Sequence, residues 1–196
     1  MIVTVTNLKG GTGKTTTSIL LATALDNLGY DCEVIDADPQ GSATDWAALA
    51  ADIGEPLPFD VRVENASSLK RFRQRAKITI IDCPPGNAAI VDMAITFADH
   101  CIIPVSPSAL DVDRMWDTLQ TVEGKAPATV LLTSARLGTT NLDELREILQ
   151  SENIPTFKAP ILQREAVRRL YGTRPTRFHG YNGVAQEVIA LEKEID

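Results

Sequence analysis

The chain has 196 residues, 44% hydrophobic and 23% charged, and a formal net charge of −7. That length suits one ordinary domain, and an apolar fraction carried by Ala, Ile, Leu and Val rather than aromatics suits a parallel sheet covered by helices. No aliphatic run reaches the roughly 20 residues a bilayer requires, and the scattered Cys32, Cys83 and Cys101 fit neither a disulfide framework nor a metal knuckle, so they read as reduced, mostly buried thiols.

The first residues, 1–6, run straight into a β-branched strand pattern without a basic leader, which points away from a signal peptide and towards a cytoplasmic chain. Further strands are predicted at 33–35, 61–63, 78–81, 101–105 and 129–132, with a weak one near Phe157. Helical patterns alternate with them at 15–27, 42–51, 67–75, 88–97, 112–123 and 142–150, followed by 162–171 and 183–194. This alternation predicts a doubly wound α/β fold, a mostly parallel sheet with helices on both faces, in a single domain over 1–196. Gly29 is placed to close the first helix, Ser42 and Asp45 have the spacing of a capping box, and 54–58 reads as a loop.

Three motifs fall at the ends of predicted strands. After the first strand stands Lys9-Gly10-Gly11-Thr12-Gly13-Lys14-Thr15-Thr16. The ordinary Walker A pattern fails here, because Leu8 occupies the place of its first glycine. The glycines still let backbone N–H groups turn inward around phosphate oxygens, and the following helix points its positive end at the same anion. Lys14 is placed to reach the β and γ phosphates, and Thr15 to offer its hydroxyl to Mg2+. Lys9 is the unusual residue: two ammonium groups crowded at one site are costly unless further negative charge is present.

The second motif is D-A-D-P-Q, Asp36 to Gln40, whose carboxylates are brought beside the phosphate loop when the second strand returns. The third is the apolar strand ending in Asp82, followed by Cys83-Pro84-Pro85-Gly86, a Walker B form with Asp82 placed to bind Mg2+ or its water shell. His100 and His179 are the only histidines, so no Ser, Cys or His triad competes with this chemistry; His100 reads as structural.

Together these residues resemble the deviant Walker A ATPases of the ParA/MinD family, with its signature K-G-G-x-G-K-[ST]-[ST]. The later I-I-P-V-S-P-S, Ile102 to Ser108, is similar to the small ParF-type branch. The resemblance implies a P-loop NTPase fold, ATP and Mg2+, and an ATP-sandwich homodimer in which Lys9 crosses to the nucleotide of the second subunit. It implies that Lys9, Lys14 and Asp38 are catalytic, Asp38 orienting the attacking water. Thr15, Asp36 and Asp82 would serve the metal, Asp36 through water, and Lys9 to Thr16 would cradle the nucleotide. Asp111 would lie near the dimer interface, and Thr133 and Ser134 near the adenine. A phosphate loop starting at residue 9 leaves no room for an upstream helix-turn-helix domain.

The charge is unevenly placed. Residues 158–177 carry six basic side chains against Glu165, so this segment is +5 and the remainder −12. On a helical wheel Arg164, Arg168 and Arg169 lie opposite Leu162, Ala166 and Leu170, with Arg174 and Arg177 beyond. Such a face can bind DNA phosphates without reading bases, although an ordinary solvated helix face has the same composition. The family resemblance favours DNA, and implies a ParB- or ParG-like centromere-binding partner that stimulates hydrolysis, a role in moving plasmid or chromosomal DNA, and a nucleoid-associated location. Three rivals share parts of this pattern. A MinD-like membrane cycle is opposed by the acidic tail, with Glu187, Glu192, Glu194 and Asp196 against Lys193. An iron–sulfur carrier lacks its paired cysteines. An ATPase that positions a protein assembly on the nucleoid differs only in its partner.

Overall fold

The computed structural model describes residues 1–195; Asp196 and the side chain of Glu194, both counted in the acidic tail, lie outside what is described. Six strands form one all-parallel sheet: β1 (Ile2–Val5), β2 (Cys32–Asp36), β3 (Asp60–Val63), β4 (Ile78–Asp82), β5 (His100–Val105) and β6 (Ala128–Leu132), in the order β3-β2-β4-β1-β5-β6. The helices are α1 (Lys14–Asn27), α2 (Ser42–Asp52), α3 (Ala66–Leu69), α4 (Ala88–Phe97), α5 (Ala109–Val122), α6 (Thr140–Ser151), α7 (Glu165–Arg168) and α8 (Tyr181–Ile195). The doubly wound prediction stands.

Side chains alternate across each strand, so the sheet is buried on both faces. On one face Val3, Val5, Val34, Ile78 and Ile80 pack against α1 and against Tyr181, Val184 and Val188 of α8. On the other, Ile35, Ile81, Ile103 and Val105 meet Ile90 and Ile95 of α4, Met115 of α5 and Leu142, Leu145 and Leu149 of α6. All three cysteines are free and buried. His100 is buried with Nε2 at 2.9 Å from the Thr129 hydroxyl, the structural role expected for it.

Several local expectations need correction. The helix predicted over 67–75 shrinks to α3, because the Arg75 N–H donates to the Glu33 carboxylate rather than to a helical carbonyl, and Phe72 turns inward. The helix predicted over 162–171 shrinks to α7: residues 161–163 run extended beside the end of β6, with Ala135 N–H donating to Ile161 O and Gln163 N–H to Ala135 O. The strand near Phe157 is only an isolated bridge, Thr156 with Val130. Ser42 does not cap α2. Gly41 does, with a φ of 69° that favours glycine, and the Asp36 carboxylate accepts from the Thr44 N–H. Gly29, at φ 83°, follows α1 as expected.

Candidate functional site

β1 is flanked on both sides by other strands, and its carboxyl end opens into the phosphate loop, at the crevice where open α/β sheets take ligands. The loop is held by its neighbours. The Asn7 amide donates to Pro104 O at 2.8 Å and accepts from the Lys9 N–H, the Leu8 N–H donates to the Thr118 hydroxyl, and the Thr133 hydroxyl donates to Thr12 O at 3.0 Å. Gly11 and Gly13 sit at φ 78° and 92°, and a Cβ added to either would meet nothing within 4 Å, so it is the left-handed backbone and not crowding that calls for glycine there. α1 has no side-chain cap at its N-terminus, which leaves its first N–H groups directed at whatever enters the loop.

Lys14 is buried, and its Nζ donates to the carbonyl of Lys9 at 2.8 Å. Burial pushes its ammonium below the ordinary lysine range, partly offset by Asp82, Cys83 and Asp38. The Thr15 hydroxyl donates to Asp82 Oδ2 at 2.7 Å, and Ser18, which the motifs did not single out, donates to Asp82 Oδ1 at 3.2 Å. Burial pushes the Asp82 carboxyl up to about 7, with the neighbouring Asp36 adding to the rise and the two hydroxyls opposing it. Asp36 lies opposite Asp82 in the pairing of β2 with β4 and is fully buried. Its oxygens accept from the Asp38 N–H and from the N–H and hydroxyl of Thr44, so Asp36 ties the D-A-D-P-Q turn to α2.

A cavity of about 350 Å³ opens over the loop, bordered by Gly10, Gly13, Lys14, Thr15, Thr16, Asp38 and Pro85. The three motifs therefore converge on one space. Trp46 and Tyr171 also border it, and nothing in the sequence pattern pointed to them. Beyond Gly11 and Thr16 lies a second cavity of about 220 Å³, bordered by Thr133, Ser134, Leu162, Arg164, Val167 and Arg168.

Lys9, at the start of the loop, forms an ion pair with Asp111 in the first turn of α5. Asp111 is held in turn by the Ser108 hydroxyl at 2.7 Å. Arg164, Arg168, Arg169, Arg174 and Arg177 are all exposed, but the continuous amphipathic face drawn for them is absent. Arg164 precedes α7, Leu162 lies outside it, and Arg169 pairs with Glu165. Arg164 and Arg177 instead flank His179, lowering its pKa after the effect of burial.

An uncapped helix N-terminus behind a glycine turn, a buried lysine and a hydroxyl–carboxylate pair define a P-loop nucleotide-binding protein. Residues 3–175 match the family described as the CobQ/CobB/MinD/ParA nucleotide binding domain, and the chain belongs to it. It is 37% identical over 127 residues to a "Maintenance of carboxysome distribution protein A" from Halothiobacillus neapolitanus, a match that spans 61% of this chain but only 55% of that protein. The like-named protein of Gloeobacter kilaueensis is 33% identical over 192 residues, 92% of this chain and 86% of that one. Among solved structures, a plasmid partition protein from Borrelia burgdorferi bound to AMPPNP superposes with a TM-score of 0.74 at 17% identity, covering 100% of this chain and 99% of that one.

Proposed function

We propose that the chain is a Mg2+-dependent ATPase of the ParA type that pairs around ATP, holds DNA without sequence preference and distributes a cargo along it. The observation that carries this reading is the convergence of Lys14, Thr15 and Asp38 on one glycine-lined cavity, with Asp82 held behind Thr15 and a second lysine, Lys9, at the start of the same loop. The donor set fits the ligands. The backbone of Gly11 and Gly13, which borders the cavity without side chains, suits phosphate oxygens, and Lys14 and the α1 N-terminus supply positive potential. Thr15 and Asp82 offer hard oxygens to Mg2+, with Asp36 one strand away. Mg2+, when bound, would neutralise charge on the phosphate chain.

This chain's own part in hydrolysis is positional. Lys14 compensates negative charge on the β and γ phosphates, and Asp38 orients a water for in-line attack at phosphorus, giving ADP, inorganic phosphate and a proton. Thr133 and Ser134, at the second cavity, suit the nucleoside end. Lys9 would exchange Asp111 for the nucleotide of a second copy. Pairing would double the exposed arginines and convert weak phosphate contacts into useful affinity. Release would follow hydrolysis stimulated by a ParB- or ParG-like partner, with the protein cytoplasmic and nucleoid-associated.

Two cargoes fit these residues: plasmid or chromosomal DNA, and a protein assembly. Identities of 37% and 33% to carboxysome-distribution proteins favour the assembly. A membrane cycle has less support, since Glu187, Glu192, Glu194 and Asp196 stand against Lys193 in the segment that would have to meet anionic lipid. Phosphate release from Mg·ATP with DNA and a candidate partner tests the enzyme. Turnover is expected, and Asp38→Ala should reduce it at least about a hundredfold while nucleotide still binds. A rate that is negligible throughout and unchanged by Asp38→Ala would leave a nucleotide-binding module without turnover.

A further inference from the structure

The phosphate cavity has an aromatic wall that none of the three motifs supplies. Trp46 of α2 is buried, its indole N–H donating to Thr173 O at 2.7 Å. Tyr171 lies against it with ring centroids 5.4 Å apart and planes tilted by 59°. Next to Tyr171, Gly172 has a φ of 74°, and a Cβ placed there would come within 2.9 Å of Leu49 Cβ. Backbone and ring are thus pressed onto α2 from three directions. Yet Tyr171 itself keeps 48% of its surface exposed, and it borders the cavity with Gly13, Lys14 and Thr15.

A phenol with one face packed and the other open has a polar tip to satisfy. Burial, aided by Asp45 and Asp36, pushes the Tyr171 hydroxyl above its ordinary range, so it stays a neutral donor at physiological pH. Among the described residues, that space is otherwise bordered by glycine backbone, hydroxyls, Lys14, Asp38 and Pro85, with the carboxylates of Asp45 and Asp36 near enough to act on the phenol. A donor added to this set suits a phosphate oxygen. Tyr171 also belongs to the stretch that carries Arg164, Arg168, Arg169, Arg174 and Arg177, whereas α2, which it grips, is tied through Thr44 to Asp36.

We infer that Tyr171 is a further nucleotide-contacting residue, its phenol O–H donating to the phosphate chain of a bound nucleoside triphosphate, so that ligand in the cavity holds the arginine-bearing segment against α2. This rests on the nucleotide reading of the cavity alone, not on pairing, turnover or DNA binding. Tyr171→Phe keeps the ring on Trp46 and removes only the hydroxyl. Its affinity for Mg·AMPPNP, measured by calorimetry, should fall about tenfold, the effect of one hydrogen bond to a charged oxygen, with the urea midpoint of the ligand-free protein unchanged. Trypsin reads the second half, because it cuts after Arg168, Arg169 and Arg177. Saturating Mg·AMPPNP should slow those cuts at least about fivefold in the unaltered chain, by restricting local opening, and fail to do so in Tyr171→Ala.

Affinity of Tyr171→Phe within about twofold of the parent would overturn the contact. So would a loss of affinity accompanied by a lower urea midpoint, which a purely structural tyrosine produces. Equal cutting of the parent with and without nucleotide would overturn the link to the segment. Failure of the parent to bind Mg·AMPPNP at all would remove the nucleotide reading of the cavity, and this contact with it.

Discussion

Removing the negative charge that holds Lys9 should make the protein pair more readily. The Lys9 side chain is 34% exposed and that of Asp111 11%, so their ion pair lies between a surface pair and a buried one. A contribution of about 1 kcal/mol is reasonable for such a pair. In a symmetric dimer both subunits must release Lys9, so the two pairs oppose association by about 2 kcal/mol, or about thirtyfold in the dissociation constant. Asp111→Asn keeps the shape and an oxygen to accept from the Ser108 hydroxyl, so the α5 cap survives. Sedimentation velocity in Mg·AMPPNP over a concentration series measures the constant directly. We expect Asp111→Asn to dimerise at about thirtyfold lower concentration than the parent, Lys9→Ala to remain monomeric, and the advantage of Asp111→Asn to shrink as salt screens the parent's ion pair. A constant within about twofold of the parent would show that Asp111 does not compete for Lys9; dimers of Lys9→Ala equal to the parent would remove the sandwich itself.

Two further outcomes follow from other parts of the molecule. Arg164→Ala with Arg168→Ala should weaken binding to unrelated DNA sequences equally and flatten the salt slope by about 2 per subunit, read by fluorescence anisotropy; because both arginines border the second cavity, nucleotide affinity must be measured alongside, and unaltered DNA affinity would relocate the surface. Glu33, buried in β2, should carry a pH-dependent part of the stability. Burial raises its carboxyl, but the Arg75 N–H, the Thr79 hydroxyl and Arg62 outweigh that and hold it below the usual range. A depressed folded pKa contributes stability that is full above the unfolded glutamate value, about 4.3, and is lost as pH falls through the folded one. Glu33→Gln should therefore cost about 2–4 kcal/mol at pH 7 by urea unfolding, with the gap to the parent closing below about pH 4. A gap independent of pH would mean that the carboxylate is not held ionised.

The sheet and the phosphate loop were legible because both are written locally. Each strand is a short β-branched run, and Gly11, Gly13, Lys14 and Thr15 follow the first of them without interruption. What was misread depends on partners distant in sequence. Wheel geometry over 162–171 assumed a helix, but the hydrogen bonds of residues 161–163 go to Leu132 and Ala135. The capping pattern at Ser42 was one residue late because the acceptor for the α2 N-terminus is Asp36, in another element, which frees the preceding position for a left-handed glycine. Trp46 and Tyr171 lie far apart in the chain and in no motif, so only the packing of the arginine segment on α2 brings them to the cavity. The one signal that could have found them was their scarcity, in a chain with two tryptophans and three tyrosines.

The structure also separates two roles that meet in Lys9. Its main chain belongs to the cradle: the N–H donates to Asn7 Oδ1 at 2.9 Å, and the carbonyl accepts from Lys14 Nζ at 2.8 Å. Its side chain leaves the cradle for Asp111. Alanine at this position keeps both main-chain contacts, so Lys14 stays anchored and the glycine turn keeps its shape. The ties from Asn7 to Pro104, Leu8 to Thr118 and Thr12 to Thr133 brace the loop against β5, α5 and the end of β6. A cradle already in its binding shape loses little freedom when nucleotide arrives. On the proposed reading, nucleotide binding would draw on this braced backbone and pairing on the one ammonium group that leaves it, so a change at Lys9 is expected to abolish the second and spare the first.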